Sequence, residues 1–320
     1  MKTIGLLTSG GDSSGMNAAV RSAVIKAHEL GIRVVGFLQG YQGLIENNFR
    51  EMDAASVEGI VQRGGTILRS ARCLEFKSDW GQKTALENIA RNSIDGMLVL
   101  GGDGSLHGAQ VLHDLGIPVM GLPASIDNDI YGTDMAIGVD TALNIIVRAV
   151  DSLRDTASSH DRAFILEVMG RSSGYLAFTS ALACAAEAVI IPEVPYNLEA
   201  IGDRLMESKK RGKTNSIVIV AEGAASAFAV EMRLKSFAGF ETRITVLGHL
   251  QRGGDPTVFD RLLATRLAAS AVRRLAEGEK GNMVGLIKNE IVSTPFTEVF
   301  ANKKVLDEKS LALARQLAGG

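Results

Sequence analysis

The sequence predicts an α/β fold of the doubly wound type, and two features of its apolar pattern support this prediction. Short apolar runs such as Gly96–Leu100 and Ser216–Val220 are continuous, without the alternation of a strand that has one solvated face. Continuous apolar strands are typical of parallel sheets that are covered on both faces. Longer amphipathic stretches separate these runs, and such alternation of strand and helix is typical of α/β domains. We therefore expect ligands to bind at the carboxyl ends of the strands.

Strands and helices can be placed in chain order from this pattern. A first strand, Lys2–Leu7, is followed by a glycine-rich turn and a helix from about Met16 to His28. Helices are also expected over Ser105–Leu115 and from about Val139 to Asp155. The further strands are expected at Arg33–Phe37, Gly96–Leu100, Val119–Leu122, Ala163–Val168, Ala188–Ile191, Ser216–Val220 and Arg243–Leu247. Composition marks no domain boundary, and the best position for one is the loop near Gly138.

Bulk composition limits the classes of protein to which the chain can belong. Its 320 residues are 46% hydrophobic and 22% charged, which argues against disorder. This length suggests about two domains. The formal net charge of -2 gives no field that favours nucleic acid or an anionic membrane.

Cysteine usage and the N-terminal segment indicate a cytoplasmic protein. The two cysteines, Cys73 and Cys184, lie far apart and show no metal-ligand pattern, so we expect reduced thiols. The apolar run near the N-terminus is too short for a signal peptide or a membrane span.

Two glycine-rich loops follow predicted strands, and each opens a helix. The first runs from Thr8 to Gly15 and the second from Gly101 to Ser105. Glycines let the backbone approach an anion, whose charge the free N–H groups of a helix start stabilise. Asp103 in the second loop would repel a polyphosphate unless a cation such as Mg²⁺ bridged them. Either loop alone could be a tight turn, with Asp103 as a helix cap, but the pair favours a nucleotide site.

Polar groups after two further strands suit proton and phosphoryl transfer. Asp127 and Asp129 share the loop after Val119–Leu122, and an extended loop would place both side chains on one side. A carboxylate within reach of a sugar hydroxyl can accept its proton. Arg171 follows Ala163–Val168 and could stabilise charge on a transferring phosphoryl group. The alternatives are a polar turn for the aspartates and a surface ion pair for the arginine.

Taken together, these segments resemble the bacterial ATP-dependent 6-phosphofructokinase family. The resemblance spans nearly the whole chain, and its ordered set of motifs is highly specific. The motifs are LTSGGDSSGMNAAVR (7–21), QRGGTILRSAR (62–72), GGDGS (101–105), GLPASIDNDIYGTD (121–134), LRDTASSHDR (153–162), EVMGRSSG (167–174), AEG (221–223) and TVLGHLQRGGDPTVFDR (245–261).

The resemblance implies a fold and a reaction. The reaction is transfer of the ATP γ-phosphoryl group to the 1-hydroxyl of fructose 6-phosphate, the committed step of glycolysis, by a homotetramer. The fold is two doubly wound, Rossmann-like sheet domains with the active site in the cleft between them. We expect residues 1–138 with about 251–301 to bind ATP, and residues 139–250 with about 302–320 to bind fructose 6-phosphate.

Site residues are also implied by position. Those for ATP are Gly11, Arg72, Cys73, Gly102, Asp103, Gly104 and Ser105, with Asp103 also holding Mg²⁺. Those for catalysis are Asp127 as the base, Arg171 at the transition state, Ser125 at the transferred group, and Asp129. Those for fructose 6-phosphate are Ser125, Asp127, Arg162, Met169, Gly170, Arg171, Glu222, Arg243, His249 and Arg252, of which Arg162 and Arg243 would come from a neighbouring subunit.

Two departures from the family pattern fall near the phosphate loops. The chain has Ser13-Ser14 where the family usually has Ala-Pro, which gives a freer backbone in the first loop. It has Ala124-Ser125 where the family usually has Gly-Thr, which keeps a hydroxyl at position 125. Relatives that use pyrophosphate carry Asp at position 104 and Lys at position 124, so Gly104 and Ala124 favour ATP as the donor.

A further departure concerns regulation. Arg21, Arg154, Glu187, Arg211 and Lys213 match the site at which regulated relatives bind ADP and phosphoenolpyruvate. However, Ile25, Ala54 and Gly59 stand where those enzymes carry Arg, Arg and Asp. Each lost charge-assisted contact weakens binding of a polyanion by about 1–3 kcal/mol. We therefore expect effector control to be weak or absent.

Three other functional classes are disfavoured. A pyrophosphate-dependent phosphotransferase conflicts with Gly104 and Ala124. A non-catalytic nucleotide-binding relative would have lost its chemical residues, yet Asp103, Asp127 and Arg171 are present. A dinucleotide dehydrogenase needs G-x-G-x-x-G after the first strand, and the chain lacks this motif there.

Overall fold

The computed structural model describes residues 1–158, 163–213, 215–238 and 242–318, and the chain divides into two compact units. Unit 1 consists of Met1–Ser125, Asp129–Thr141 and Arg252–Lys304, and unit 2 consists of Ile126–Asn128, Ala142–Gln251 and Val305–Gly320. Each unit is built around one sheet.

The strands and helices alternate along most of the chain. The strands are β1 (Thr3–Ser9), β2 (Arg33–Phe37), β3 (Phe49–Met52), β4 (Gly96–Gly101), β5 (Val119–Pro123), β6 (Ala163–Val168), β7 (Ala188–Ile190), β8 (Ser216–Ala221), β9 (Thr242–Val246), β10 (Asn282–Ile287) and β11 (Glu290–Pro295). The helices are α1 (Met16–Glu29), α2 (Tyr41–Glu46), α3 (Asp79–Arg91), α4 (Asp103–Asp114), α5 (Val139–Ser158), α6 (Tyr175–Ala183), α7 (Leu198–Lys210), α8 (Ala227–Ala238), α9 (Val258–Ala276), α10 (Phe296–Ala301) and α11 (Glu308–Leu317).

Several helices begin where a side chain can satisfy the free amides of the first turn. Ser78 accepts from an amide of α3, Thr257 from an amide of α9 and Asp307 from an amide of α11. Asn197 accepts from two amides at the start of α7. Such side chains are typical N-caps, because their oxygens accept hydrogen bonds from first-turn amides that have no backbone acceptor.

The sheet of unit 1 has the strand order β11-β10-β5-β4-β1-β2-β3. Its strands from β10 to β2 are parallel, whereas β3 and β11 pair antiparallel at the two edges. The register pairs Ser9 with Gly101 and Gly101 with Pro123. The carboxyl ends of β1, β4 and β5 therefore lie side by side at one edge of the sheet.

Both faces of this sheet are buried, which explains its continuous apolar strands. Leu98 and Leu100 of β4 pack in one core cluster together with residues of α1 and α9. Met97 and Val99, on the alternate face, pack in a second cluster with residues of α3 and α4. Layers of helices thus cover both faces, as predicted for a doubly wound fold.

Among the described residues of unit 2, four strands form a parallel sheet in the order β7-β8-β6-β9. Ile165 and Val218 pack with Ile201 of α7 and Val230 of α8 in one core cluster. The carboxyl ends of β6 and β8 are adjacent, and the amino ends of β6 and β9 are adjacent at the opposite edge.

The doubly wound prediction is confirmed, with corrections at particular elements. β2 and β6 have the predicted bounds, but β3, β10 and β11 are absent from the prediction. β3 and β11 are partly exposed edge strands that carry polar residues, so they lack the continuous apolar pattern used to find strands. α4 begins at Asp103 rather than Ser105, because Gly102 already has the N-cap position.

Candidate active site

The first glycine-rich loop leaves β1 and opens α1, as the sequence predicts. Gly10 has φ 81° and Gly15 has φ 111°, in the left-handed region that favours glycine. Gly11 lies between them, and a Cβ there would overlap the guanidinium of Arg252. The loop backbone at Gly10 and Gly11 therefore carries no side chain just before a 14-residue helix. This arrangement suits the binding of an anion.

The second loop runs beside the first, because β1 and β4 are parallel neighbours. The Ser105 side chain, at the end of the second loop, is buried and lies close to glycines of both loops. A Cβ on Gly101 would lie 2.6 Å from the Ser105 Cβ, and one on Gly10 would lie 3.0 Å from its hydroxyl. The Ser105 carbonyl accepts a hydrogen bond of 2.7 Å from the buried hydroxyl of Tyr41. Close packing around Ser105 thus requires glycine on both loops.

Asp103 and Gly104 begin α4 on the open side of the second loop. The Asp103 carboxylate is 61% exposed, and Nδ1 of His107 lies 3.4 Å from its Oδ2. A Cβ on Gly104 would meet no described atom within 4 Å. A Cβ on Gly102 would lie 3.6 Å from the Cβ of Ser125, an ordinary contact. The loop therefore presents one carboxylate beside open space.

Arg72 and Cys73 lie in the irregular segment between β3 and α3. Asn17 of α1 holds this segment: its Nδ2 donates to the Gly64 carbonyl at 3.1 Å, and its Oδ1 accepts from the Ile67 amide at 2.7 Å. Arg72 is exposed, and burial raises the pKa of the Cys73 thiol. Asn17 is not among the site residues predicted from the sequence. The signal that could have identified it is a polar side chain among the apolar residues at the start of α1.

Arg252 lies against the first glycine-rich loop. Its Nη1 donates to the Asp12 carbonyl at 3.2 Å. The buried Ser14 hydroxyl donates to the carbonyls of the two residues that follow Arg252, Gly253 at 3.1 Å and Gly254 at 2.8 Å. An arginine predicted for the sugar phosphate is therefore in contact with the loop predicted for ATP.

Asp127 and Arg171 form an ion pair in unit 2. Nε of Arg171 lies 3.6 Å from Oδ2 of Asp127. The Asp127 side chain is only 5% exposed, whereas that of Arg171 is 62% exposed. The structure thus brings together the predicted base and the arginine predicted to stabilise the transferring group.

Glu222 holds the backbone that presents Arg171. Arg171 has φ 51°, which is uncommon for a residue other than glycine. Oε1 of Glu222 accepts from the amides of Gly170 at 3.3 Å and Arg171 at 3.0 Å. A Cβ on Gly223 would overlap the Arg171 carbonyl, so glycine permits this close approach. Besides the sugar contact predicted for it, Glu222 therefore has a backbone contact that motif spacing does not reveal.

The loop that carries the two aspartates is a turn rather than an extended segment. Asn128 has φ 51°, so the loop is not extended and the condition for placing Asp127 and Asp129 on one side by alternation is not met. Asp127 belongs to unit 2, whereas Ser125 and Asp129 belong to unit 1. Near Asp129, burial lowers the pKa of Lys304 to about 8, against the opposing effect of nearby carboxylates.

Among the residues predicted for fructose 6-phosphate, some that lie in unit 2 fall at opposite ends of its sheet. Met169 and Glu222 follow the carboxyl ends of β6 and β8. Arg243 lies near the amino end of β9, where it pairs in register with Phe164. Within this chain, Arg243 is therefore separated from Met169 along the length of the strands. Arg162 lies outside the described residues.

A buried glutamine links two of the predicted sugar contacts. Oε1 of Gln251 accepts from the Met169 amide at 3.2 Å, and its Nε2 donates to the Gly248 carbonyl at 3.1 Å. The 3₁₀ turn Gly248–Arg252 also contains His249, which is exposed. Gln251 thus holds the His249 turn to the residue that follows β6.

Three predicted effector residues of unit 2 make bonds within the chain. Arg154 donates to the carbonyls of Cys184 at 2.6 Å and Ala185 at 3.0 Å. Glu187 accepts from Lys213. These groups surround the short turn before β7, so their charges already have polar partners.

The remaining effector positions are exposed. Arg211 follows the end of α7. Arg21 belongs to unit 1 and lines an open groove of about 520 Å³ between α1 and α9, together with Ile25. Gly59 has φ 66°, in the left-handed region that favours glycine.

Two negative findings apply to the described ranges. They contain no group of three or more His, Cys, Asp or Glu side chains that could hold a metal ion. None of the helices in the described part of the chain is both long and apolar enough to cross a bilayer.

Comparison with known proteins gives consistent matches. The family model for phosphofructokinase matches residues 3–275. The ATP-dependent 6-phosphofructokinase of Thermotoga neapolitana is 50% identical over 319 residues, covering 99% of this chain and 100% of that protein. The protein of the same name from Halalkalibacterium halodurans is 50% identical over 318 residues, again covering 99% of this chain and 100% of that protein.

Solved structures agree on the fold. Pichia pastoris phosphofructokinase in the T-state superposes with a TM-score of 0.90 at 37% identity, over 94% of this chain and 35% of that longer chain. A pyrophosphate-dependent phosphofructokinase from Marinobacter aquaeolei superposes with a TM-score of 0.85 at 21% identity, over 100% of this chain and 92% of that chain, and shows the fold alone. Because the family model matches most of the chain and two relatives match along their whole length, this chain belongs to the phosphofructokinase family.

Proposed function

We propose that this chain transfers the γ-phosphoryl group of ATP to the 1-hydroxyl of fructose 6-phosphate, giving fructose 1,6-bisphosphate and ADP. The observation that carries the proposal is the ion pair of Asp127 and Arg171, with Nε 3.6 Å from Oδ2. It supplies a proton acceptor and a cation at the carboxyl end of a parallel sheet, where α/β folds bind ligands.

Asp127 acts as the general base. The 1-hydroxyl loses its proton to this carboxylate as its oxygen forms a bond to the γ-phosphorus. The bond from that phosphorus to the β,γ-bridging oxygen breaks, and ADP leaves with the electron pair. Arg171, which is 62% exposed, stabilises the charge that develops on the transferring group.

The glycine-rich loops of unit 1 bind the ATP phosphates. Gly11, Gly102, Gly104 and Ser105 supply close backbone approach, and Arg72 supplies a cation. Asp103 would hold Mg²⁺, because a single exposed carboxylate beside open space suits an ion whose other ligands are commonly phosphate and water. When bound, this ion neutralises phosphate charge. Unit 1 is accordingly the ATP-binding domain.

Unit 2 is the sugar-phosphate domain, and a second copy of the chain completes its site. Met169, Glu222 and His249 contact the sugar phosphate from one subunit, with Arg252. Arg243 and Arg162 come from the neighbouring subunit of a homotetramer. Support for this arrangement comes from Arg243, which pairs with Phe164 at the sheet end opposite to Met169.

Effector control is weak or absent. The cations expected at positions 25 and 54 are missing, and Arg154, Glu187 and Lys213 already bond within the chain. A polyanion would therefore meet fewer available charges than in regulated relatives.

A coupled steady-state assay with purified protein tests the function. We expect turnover of fructose 6-phosphate with ATP and none above background with pyrophosphate. Asp127→Asn, which keeps the shape of the side chain but removes the base, should lower kcat by about 10²–10⁴-fold. The KM for fructose 6-phosphate should change little.

Three results of the same assay would contradict these proposals. Turnover with pyrophosphate but not ATP would replace the donor assignment. A near-normal kcat in Asp127→Asn would contradict the assignment of Asp127 as the general base. Strong inhibition by phosphoenolpyruvate that ADP relieves would contradict weak effector control.

A further inference from the structure

Ser14 connects two segments that lie far apart in the sequence. Its hydroxyl lies 2.8 Å from the Gly254 carbonyl and 3.1 Å from the Gly253 carbonyl, and the residue is 1% exposed. One hydroxyl proton is thus shared between two carbonyls. Proline, the residue expected at position 14 from the resemblance, has no hydroxyl to make these bonds.

The bonded glycines directly follow Arg252. This arginine is the first residue of its segment in unit 1, and its guanidinium reaches the Asp12 carbonyl at 3.2 Å. A Cβ on Gly11 would overlap the same guanidinium. Ser14 therefore anchors the backbone next to an arginine that lies on the phosphate loop.

Packing on the other side of the glycines limits where they can move. A Cβ on Gly64 would overlap the Gly254 carbonyl oxygen, so the two backbones are in close contact. The Gly64 carbonyl in turn accepts from Asn17, three residues after Ser14.

We propose that Ser14 is a positioning residue that holds Arg252 in the geometry required to bind the phosphate group of the sugar substrate. This inference rests on the proposed function, because Arg252 is assigned there to the sugar phosphate. Without the hydroxyl, the Gly253–Gly254 backbone loses its hydrogen bonds to the first glycine-rich loop, and the guanidinium spends less time in its binding position.

A kinetic double-mutant cycle tests the proposal. Ser14→Ala should raise the KM for fructose 6-phosphate about fivefold while kcat stays within about twofold of wild type. In the background of Arg252→Ala, adding Ser14→Ala should change KM less than about twofold, because residues that act through one another are not additive. A purely structural loss would lower activity to the same extent in both backgrounds.

Ser22→Ala is the matched control. Ser22 is a buried serine of α1, and its hydroxyl donates to the Thr265 carbonyl of α9 at 2.8 Å rather than to Gly253 or Gly254. This variant loses a bond of the same kind, and its KM should equal that of wild type. The proposal is overturned by an unchanged KM in Ser14→Ala, by an equal rise in Ser22→Ala, or by a full multiplicative effect on Arg252→Ala.

Amide hydrogen exchange separates this proposal from the proposed function. Exchange over residues 252–255 should be faster in Ser14→Ala than in wild type, and unchanged in Ser22→Ala. If wild type shows no turnover of fructose 6-phosphate, the proposed function fails and this exchange measurement alone decides whether Ser14 anchors the segment. Equal protection in all three proteins would overturn the anchoring.

Discussion

At the residue scale, two residues beside the Asp127 carboxylate have left-handed backbones although neither is glycine. Asn128 and Arg171 both have φ 51°. Such a conformation costs about 1–3 kcal/mol, so surrounding contacts must hold it. For Arg171 these contacts are the Glu222 carboxylate and the close approach that Gly223 permits. One of these two left-handed residues, Arg171, is thus a residue to which we assign a role in the chemistry.

Gly104→Asp tests whether the open space beside Asp103 receives the nucleotide. The variant should melt at the wild-type temperature, because no described atom lies within 4 Å of the new Cβ and an acidic residue is favourable in the first turn of a helix. The KM for ATP should rise about tenfold or more, since the new carboxylate would repel phosphates. Thermal melts and steady-state rates at varied ATP measure both effects. Normal stability with an unchanged KM for ATP would argue against a nucleotide in this space.

At the scale of elements, Asp260 fastens the start of α5 to α9. Its Oδ1 accepts from the Gly138 amide at 2.9 Å, and its Oδ2 accepts from the amide and hydroxyl of Thr141 at 2.8 and 2.6 Å. Burial raises the pKa of Asp260 to about 6, against the effect of these donors. Thr141 is also the last residue of its segment in unit 1, so this network fixes the end of that segment.

The shifted pKa predicts how stability depends on pH. Because the pKa is raised in the folded state from 3.8 to about 6, the stability that protonated Asp260 contributes is present below pH 3.8 and is lost as pH rises through 6. The free energy of unfolding of wild type relative to Asp260→Asn should therefore fall by about 3 kcal/mol across this window. Denaturant melts of both proteins at several pH values measure the difference.

Asp95→Asn provides a contrast of opposite sign. Hydrogen bonds from the amides of Lys2 and Thr3 lower the pKa of Asp95, so its contribution to stability is lost as pH falls. The gap between wild type and Asp95→Asn should therefore shrink on acidification, whereas the gap for Asp260→Asn moves the other way. Equal pH profiles for the two variants would contradict the assigned shifts.

At the scale of the whole molecule, the residues assigned to the proposed reaction are divided between the two units. The glycine-rich loops and Asp103 belong to unit 1, while Asp127 and Arg171 belong to unit 2. Arg243 lies at the opposite sheet end from Met169. A parallel sheet cannot bring both ends of its strands to one ligand, so the assignment of Arg243 to the sugar phosphate requires a second copy of the chain.

Mixing two inactive variants tests the shared site. Asp127→Asn and Arg243→Ala should each show little activity at low fructose 6-phosphate. Dissociating and reassociating them at a 1:1 ratio should recover about a quarter of wild-type activity, because a hybrid site can combine an intact Asp127 with an intact Arg243 from the neighbour. Each variant treated alone is the control, and native mass spectrometry verifies the hybrids. Hybrids without recovered activity would contradict a site shared between subunits.

Prediction from the sequence succeeds where a local pattern is sufficient. β2 and β6 are strands with the predicted bounds because an unbroken apolar run identifies a strand buried on both faces, whatever its neighbours. The prediction lacks the short β3 and the hairpin β10–β11, although β10 contains a buried apolar run that the same pattern identifies. Both edge strands are partly exposed, and the pattern of an edge strand depends on which of its faces is covered.

By itself, the sequence determined the α/β class, the two glycine-rich loops and the family, because periodicity and motifs are local properties that survive without coordinates. The tertiary structure alone decided that Ser14 bonds to Gly254, 240 positions away, and that Glu222 anchors the Arg171 backbone. It also placed Arg243 at the far end of the sheet from Met169. Hydrogen bonds between distant segments depend on how elements pack, and packing leaves no periodic signal in the residues that form them.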